Sequence, residues 1–330
     1  MPQLGQHGRM PAAPLPDDLG PRFRVAEALA AGVPAGRLRA GDLAAPFHGV
    51  RSVPGALLPI GLQIEPGGVP RGDREAEHLR RAWAYAAVAT EHVFFSHVTA
   101  AIAYGLPLPP LLLFGRDIDA AVCAPRRLPR GRGVRGHQVK PSQVRVVADE
   151  HTGLRLTDPA TTWATIASAL NDPYDLVAAG DAVVRQWRRD QPLATIEDLQ
   201  RAVCSGRRVG VPAMRAALPL IRTRSASRPE THCRLTLVDA GLPEPHLNFD
   251  VYVGGIRLGC VDLAYPRWRI AIEYEGEHHL LDPEQWARDI RRYERLAAAG
   301  WLVVRVTKPE LFGDRRTFVS RVRAAITARS

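Results

Sequence analysis

The chain has 330 residues, too many for one ordinary hydrophobic core, so two or three domains are expected. Apolar residues make up 46% of the sequence and charged residues 24%, which excludes wholesale disorder and a fibrous repeat. The net charge of +10 favours an anionic partner, with nucleic acid ahead of a membrane surface. Lysine occurs only at Lys140 and Lys308. The preference for arginine over lysine fits phosphate recognition, but GC-rich codon usage is the favoured explanation for it.

The sequence predicts a cytoplasmic protein without a membrane span. No window approaches the roughly 18 unbroken apolar residues that a spanning helix needs. Residues 1–20 lack a basic start followed by an apolar segment, so they are predicted to be a flexible leader and not a secretion signal. The four cysteines are far apart and form no C-x-x-C pair, which argues against a zinc site or a disulfide framework.

Residues 21–110 follow the order of a winged helix-turn-helix. The spacing of apolar residues predicts a helix over 22–31, ended by Gly32, and a short second helix over about 34–43. Residues 45–55 then read as a small β-ribbon. In this arrangement the second helix would carry Arg37 and Arg39 into a major groove. A helical hairpin with an arginine face fits the same pattern.

Residues 111–221 are predicted to form a mixed, mostly helical middle region. A strand is expected over 117–122, followed by a mobile basic loop. The loop arginines are candidates for phosphate contacts, and a solvated surface loop is the alternative. They are Arg126, Arg127, Arg130, Arg132 and Arg135. Trp163 and Trp187, on apolar faces of the later helices, are expected in the core.

Residues 222–228 (RTRSASR) are small, polar and basic, and are predicted to be a linker before a last domain at 229–330. Helical periodicity, alternating strands and glycine stops there predict the order α-β-β-β-α-β-α. Strand 269–275 reads RIAIEYE, so Glu273 and Glu275 share one face and Tyr274 takes the other.

Asp262 lies on the neighbouring strand of the same hairpin as Glu273 and Glu275. A half-buried group of carboxylates repels itself unless a cation neutralises it, and oxygen ligands suit Mg²⁺ or Mn²⁺. Such an ion can acidify a water that attacks a phosphodiester. The alternative is a hydrated sheet edge at which these acids pair with Arg269 or Arg288.

Three segments carry a resemblance to a known family: VDLAYP (261–266), IEYEGEHH (272–279) and QWARDIRRYERLAAAGWLVVRVT (285–307). Together, over about residues 227–328, they resemble the very-short-patch-repair-like members of the PD-(D/E)XK nuclease superfamily, within a widespread uncharacterised group. The resemblance implies a restriction-endonuclease-like α-β-β-β-α-β core.

The resemblance also implies residue roles. Asp262 would be the first acid and Glu273-Tyr274-Glu275 the (D/E)-X-K element, with metal held by Asp262, Glu273 and the backbone carbonyl of Tyr274. Glu230 would be the accessory acid. The superfamily lysine is replaced by Glu275. His278 or His279 could substitute for it.

Residues 20–110, with APFHGVRSVPG (45–55) and FFSHVTAAIAYGLPLP (94–109), resemble the N-terminal region of AbiEi-type antitoxins, and LRLTDPATTWATIAS (154–168) fits proteins of that type. This resemblance implies a winged-helix DNA-binding unit. It also implies a toxin partner, with a homodimer as the alternative.

The sequence therefore predicts an α/β protein, α+β overall, that acts on DNA as a Mg²⁺- or Mn²⁺-dependent endonuclease in repair or defence. RNA is the alternative substrate. The rival function is a transcriptional regulator or antitoxin with a catalytically inactive nuclease fold. The predicted segments are a leader (1–20), a winged-helix region (21–110), a middle region (111–221), a linker (222–228) and a nuclease-like domain (229–330).

Overall fold

The computed structural model describes residues 12–55, 59–66, 68–115, 117–187, 191–276 and 283–330, with the backbone alone for 283–287. The described chain divides into two compact units. The first unit contains residues 12–105 and 110–162, and the second contains residues 106–109 and 163–330. The predicted middle region is therefore shared between the two units.

The first unit combines two sheets with short helices. Strands β1 (Arg22–Arg24) and β2 (Val50–Ser52) pair antiparallel, and helix α1 (Val25–Ala30) directly follows β1 in the chain. The larger sheet has the strand order β5-β4-β3-β7-β6. Its strands are β3 (Phe94–Phe95), β4 (Ile118–Cys123), β5 (Val134–Val139), β6 (Val146–Asp149) and β7 (Leu154–Thr157). The other helices are α2 (Asp73–Ala86), the buried α3 (His97–Ala103) and α4 (Pro159–Ile166), whose last residues belong to the second unit.

The second helix predicted over 34–43 is a single 3₁₀ turn, Arg37–Arg39. Glycines on both sides of this turn, Gly36 and Gly41, weaken a longer helix. The expected exposure of Arg37 is wrong: its side chain is 10% exposed and its guanidinium donates to both carboxylate oxygens of Asp42, at 2.9 and 2.8 Å. Arg39 is exposed. The winged helix-turn-helix stays a prediction.

The middle region contains more β-structure than the sequence predicts, because β4, β5, β6 and β7 all lie within it. The basic loop lies against the edge strand β5. A Cβ added at Gly136 on β5 would lie 1.9 Å from the carbonyl oxygen of Pro129, so the loop packs directly against this edge strand. Arg135 belongs to β5 itself.

The second unit begins with helices α5 (Pro173–Val184), α6 (Ile196–Cys204) and α7 (Val211–Ala217). The predicted α-β-β-β-α-β-α order follows, with one short helix added before the last. The elements are α8 (Arg228–Asp239), β8 (His246–Val253), β9 (Ile256–Tyr265), β10 (Ile270–Glu275), α9 (Pro283–Ala298), β11 (Leu302–Thr307), α10 (Lys308–Phe312) and α11 (Arg315–Thr327).

The four strands of the second unit form one sheet in the order β11-β10-β9-β8. β10 pairs parallel with β11 and antiparallel with β9. One face packs against α8 and α11 through residues such as Leu237, Ile272 and Phe318. The other packs against α9 through Val261, Ala271 and Leu296. Among the described residues, no helix combines the length and the apolar character that crossing a bilayer requires.

The predicted linker 222–228 is bonded into the second unit. The backbone N–H of Arg222 donates to Asp181 on α5 at 2.6 Å, and Arg224 donates to the backbone carbonyl of Asn248 at 2.8 Å. Arg228 forms an ion pair with Asp175, also on α5, at 2.6 Å. Residues 222–228 resemble a linker in sequence because the partners of their polar groups are distant in the chain.

A buried ion pair joins α5 to α8. Asp181 and Arg234 are each 1% exposed, and their charged groups lie 3.2 Å apart. Burial raises the pKa of Asp181 to about 6, against the opposing effect of the Arg234 charge. Thr231 and the backbone of Arg222 donate to the same carboxylate. The guanidinium of Arg234 therefore offsets the energetic cost of burying the charged carboxylate of Asp181.

Arg234→Met should lower the free energy of unfolding by about 3–5 kcal/mol, because it leaves the Asp181 carboxylate buried without its cation. Urea unfolding at neutral pH measures this change. The control is Arg316→Met at an exposed position on α11, which should alter stability by less than about 0.5 kcal/mol. Equal small effects for the two variants would contradict the assigned role of the ion pair.

Candidate functional site

The acidic residues meet where the β9–β10 ladder ends. The paired residues are Tyr265 with Ile270, Ala264 with Ala271, and Leu263 with Ile272. The next pair in this register would be Asp262 with Glu273. The ladder stops there, and Asp262 Oδ2 accepts the backbone N–H of Tyr274 at 2.9 Å. The hairpin thus brings together the two carboxylates that the sequence predicts, at a position where like charges oppose pairing.

Glu273 is buried, 5% exposed, and faces α9. Its two carboxylate oxygens accept hydrogen bonds from Arg292 at 2.7 and 3.1 Å. Burial, reinforced by the negative charge of Asp262, raises the pKa of Glu273 to about 8 although Arg292 acts in the opposite direction. The effect of burial thus outweighs that of the guanidinium partner.

Arg292 reaches Glu273 from α9 across the backbone of β9. A Cβ at Gly259 would lie 3.1 Å from Cδ of Arg292, so the glycine makes room for the arginine stem. The guanidinium also donates to the carbonyl of Cys260 at 2.9 Å. Burial acts to lower the pKa of Arg292, but Glu273, Tyr293 and Asp289 together hold it above its ordinary value. Arg292 is thus a fixed cation inside the acidic site.

Glu275 shares the α9 side of β10 with Glu273, as predicted, while Tyr274 packs against the opposite core. Tyr293 on α9 donates to Glu275 at 3.1 Å, and Arg305 on β11 donates to the same oxygen at 2.5 Å. Arg292 and Arg305 are thus bonded to the two glutamates, and the sequence had singled out neither of them.

Glu230 lies in the first turn of α8, after the N-cap residue Ser227. Its carboxylate is 6% exposed and accepts hydrogen bonds from the backbone of Ala226 at 2.9 Å and from Asn248 at 2.6 Å. Burial first, and the charge of Asp262 second, raise the pKa of Glu230 to about 7. Asp262 thus influences a carboxylate on either side of it, which agrees with the predicted grouping.

A cavity of about 1000 Å³ opens onto Asp262 and Glu273. Four arginines of α9 line it at the helical spacing i, i+3, i+4, i+7, which places them on one face of the helix. They are Arg288, Arg291, Arg292 and Arg295, here called the arginine stripe. Arg257 from β9 and the half-buried Trp187 also line the cavity.

Sequence reasoning missed this stripe, together with Trp187 and Asn248. The R-x-x-R-R-x-x-R spacing in residues 288–295 was the available signal. Trp187 was expected in the core and instead lines the cavity, because α5 ends at Val184 before reaching it. Trp163 is fully buried, as predicted. His278 and His279 lie outside the described residues.

The donor chemistry of Asp262 and Glu273 fits Mg²⁺ or Mn²⁺. Within the described ranges, no three His, Cys, Asp or Glu side chains are grouped to hold a metal ion. Mg²⁺ needs only one or two carboxylates when waters and a substrate phosphate complete its shell. Burial and the neighbouring charge of Asp262 raise the pKa of Glu273, and a cation bound here would favour its charged form. Binding to Glu273 would require at least one of its oxygens to leave Arg292.

The basic-loop arginines belong to the first unit, whereas the residues that line the cavity belong to the second. Arg126, Arg127, Arg130, Arg132 and Arg135 are all exposed. Arg126 lies 3.4 Å from His92 through Nη2 and Nε2. Their exposure permits contacts with phosphate, as the sequence predicts, without testing them.

Two comparisons find no match: no protein-family model and no solved structure matches the chain. Two curated proteins of Mycobacterium tuberculosis are similar. They are the uncharacterized protein MT2308 of strain CDC 1551 / Oshkosh and the uncharacterized protein Rv2248 of strain H37Rv. Each is 33% identical over 176 residues, which cover 53% of this chain and 61% of the relative. The aligned part is thus less than two thirds of either relative.

Glu230→Gln should flatten the pH dependence of stability. Because the pKa of Glu230 is about 7 in the folded protein and ordinarily 4.5, its stabilising contribution is complete below about pH 4.5 and is lost as pH rises through 7. Gln keeps an acceptor oxygen for Ala226. Between pH 5 and 8 the variant should lose on the order of 1–3 kcal/mol less stability than the wild type, measured by urea unfolding.

The matched control is Glu91→Gln, at a side chain that is 84% exposed, which should leave the pH profile unchanged. A Glu230→Gln profile parallel to that of the wild type would show that this carboxylate titrates normally.

Proposed function

We propose that the second unit hydrolyses phosphodiester bonds in nucleic acid, DNA first, with Mg²⁺ or Mn²⁺ as cofactor. The observation that carries this proposal is the convergence on one cavity of the buried carboxylates Asp262 and Glu273 with the arginine stripe. Carboxylates alone would suit a cation, and arginines alone an anion. A phosphodiester bound through a divalent ion needs both.

The arginine stripe would bind the nucleic-acid backbone. Arg288, Arg291 and Arg295 are exposed and lie along one helix face, so they can contact successive phosphates. Trp187 adds a half-buried indole at the cavity wall, which suits stacking with a base. Affinity from such contacts falls steeply with salt.

The resemblance to the PD-(D/E)XK superfamily assigns the cofactor to Asp262, Glu273 and the backbone carbonyl of Tyr274. When bound, the ion would acidify a water and stabilise the charge of the reacting phosphate. The chain's own contribution is to position the carboxylates: the N–H of Tyr274 holds Asp262, and Arg292 holds Glu273 and would release one of its oxygens to the ion. The β11-β10-β9-β8 sheet with α8 and α9 supports the proposed restriction-endonuclease-like core.

Arg292 would supply the positive charge that the missing superfamily lysine supplies elsewhere. It is a fixed guanidinium at the carboxylates, and charge placed in advance beside a reacting phosphate lowers the barrier. Glu230, with its pKa of about 7, is suited to hold or release a proton near neutral pH. The predicted substitution by His278 or His279 stays a prediction.

The first unit would contribute further DNA contacts through Arg39 and the basic-loop arginines. Arg37 is no longer part of this proposal, because Asp42 occupies its guanidinium. The antitoxin resemblance supports a role in defence or repair, with a toxin partner or a homodimer.

A regulator or antitoxin with an inactive nuclease fold is the second candidate. Two contacts favour it: both oxygens of Glu273 are bonded to Arg292, and Glu275 is paired with Arg305 at the position of the superfamily lysine. In this case the cavity would bind nucleic acid without cleaving it.

Glu273→Gln should abolish Mg²⁺-dependent cleavage, by at least about 10²-fold, because it removes a charged oxygen donor from the cation site. Binding of the same DNA in EDTA should be unchanged, since arginines carry it. Labelled single- and double-stranded DNA and RNA, with Mg²⁺, Mn²⁺ or EDTA, provide the assay.

The control Glu294→Gln changes an exposed acid that lines the same cavity and should cleave as the wild type does. Cleavage that survives Glu273→Gln, or a wild type that cleaves no substrate with either ion, would favour the regulator.

The double variant Arg291→Gln with Arg295→Gln should weaken nucleic-acid binding and reduce the slope of log affinity against log salt by about two, since two phosphate contacts are lost. Fluorescence anisotropy at several salt concentrations measures both quantities. The matched control removes the same charge at exposed positions away from the cavity, Arg215 and Arg316. Equal slopes for the two double variants would remove the arginine stripe from the binding site.

A further inference from the structure

The first unit contains a cluster of polar side chains that the proposed nuclease site does not use. Ser96 and His97 follow β3, Asp119 lies on β4, and His137 lies on β5, the edge strand of the sheet. The backbone N–H of Ser96 donates to the carbonyl of Asp119 at 3.1 Å, which fixes the end of β3 against β4. The four polar residues therefore lie on, or directly after, three neighbouring strands of one sheet.

Asp119 is a fully buried carboxylate that holds His137 in place. Its side chain is 0% exposed, and its Oδ1 lies 2.9 Å from Nε2 of His137, whose side chain is 21% exposed. A carboxylate only accepts, so this nitrogen carries the proton. Burying a carboxylate is costly without such a partner, and the contact fixes the orientation of a ring that still reaches solvent.

His97 is stacked on His137 in an unfavourable backbone conformation. The two ring centroids lie 3.8 Å apart with an angle of 17° between the planes. The φ angle of His97 is +50°, in the left-handed region that only a few per cent of residues other than Gly adopt, with Asn, Asp and His the most frequent among them. Its Nδ1 lies 2.9 Å from Oγ of Ser96. Strain of this kind persists where the surrounding structure enforces it and marks candidate functional positions.

The geometry of the two rings argues against a metal ion. A ligating imidazole directs its lone pair within the ring plane, toward a metal at about 2.0–2.1 Å. Two nearly parallel planes separated by 3.8 Å cannot both direct lone pairs at one such ion. This agrees with the lack of a metal-binding group among the residues that the structure describes.

The surroundings of the histidines favour an anion. Arg135 is two residues before His137 on β5, so its side chain leaves the same face of the strand, roughly 7 Å away along it. Arg135 is exposed, as are Arg126, Arg127, Arg130 and Arg132 in the loop that packs against β5 through Pro129. Asp119 accepts the Nε2–H of His137, so the exposed guanidinium of Arg135 would make the main contact with the spaced oxygens of a phosphodiester, with the half-buried imidazole rings beside it.

We propose that His97, His137 and Arg135, here called the histidine patch, bind a backbone phosphate of a nucleic acid, with Asp119 as the residue that positions His137. The histidine patch is a second contact point, on the unit that does not carry the cavity. It extends the proposed function, which supplies the nucleic acid as substrate. The contacts that define it do not depend on catalysis.

The test measures binding of a fluorescein-labelled DNA duplex of about 20 base pairs, in EDTA at about pH 6.5, by full-length protein. Single-stranded DNA and RNA of the same length are further arms. His137→Gln should weaken binding of the duplex about tenfold, and Arg135→Gln should do so while lowering the salt slope by about one. The controls are His48→Gln and Arg215→Gln, both at exposed positions outside the patch.

His97→Asn separates ligand binding from backbone geometry, because asparagine adopts the left-handed conformation readily. This variant should keep the melting temperature of the wild type and bind the duplex several-fold more weakly. Wild-type affinity in His97→Asn and His137→Gln would overturn the proposal, since these variants lose the rings but keep the fold. Loss of affinity only in variants whose melting temperature also falls would overturn it too.

The outcome is distinct from that of the nuclease assay. Weakened binding by His137→Gln, in a protein that cleaves nothing, would uphold the histidine patch and remove the nuclease. Unchanged binding by His137→Gln, in a protein whose cleavage depends on Glu273, would remove the histidine patch alone. A preference for RNA in every variant would assign RNA as the ligand at the same site.

Discussion

The electrostatic opposition of Asp262 and Glu273 is the constraint around which the second unit is organised. They would be the next pair in the register of β9 and β10, and the ladder stops before them. Burial and mutual repulsion raise the pKa of Glu273 to about 8 and that of Glu230 to about 7. Two donors reduce this repulsion: the N–H of Tyr274 donates to Asp262, and the guanidinium of Arg292 donates to Glu273.

The rest of the second unit keeps these groups in place. The buried pair of Asp181 with Arg234 ties α5 to α8, and α8 carries Glu230 in its first turn. α9 packs on the other face of the sheet through Leu296 and delivers Arg292 across Gly259. The packing of α9 on the sheet therefore also determines where the charge of Arg292 lies. A change in how α9 packs would move the cation relative to Glu273.

Much of the second unit could be predicted from sequence. Period-2 alternation and glycine stops predict the order of its elements, and the predicted strand 269–275 begins one residue before β10. The acids of β9 and β10 stand out in the sequence because they interrupt apolar strands. The partners could not be predicted, because the contact of Arg292 with Glu273 depends on how α9 is rotated on the sheet. The first unit was harder: β5 and β7 are short and rich in polar residues, and the second helix is a single turn at Arg37–Arg39. Whether its order is a winged helix stays a prediction.

The central claim is that the carboxylates of Asp262 and Glu273 form a cation site. Calorimetric titration with Mn²⁺ at about pH 7, in buffers of different ionisation enthalpy, counts the protons released on binding. A site containing Glu273, with its pKa of about 8, should bind one ion and release close to one proton, and Asp262→Asn should remove the binding. Equal heats in wild type and Asp262→Asn, or binding without proton release, would contradict the account.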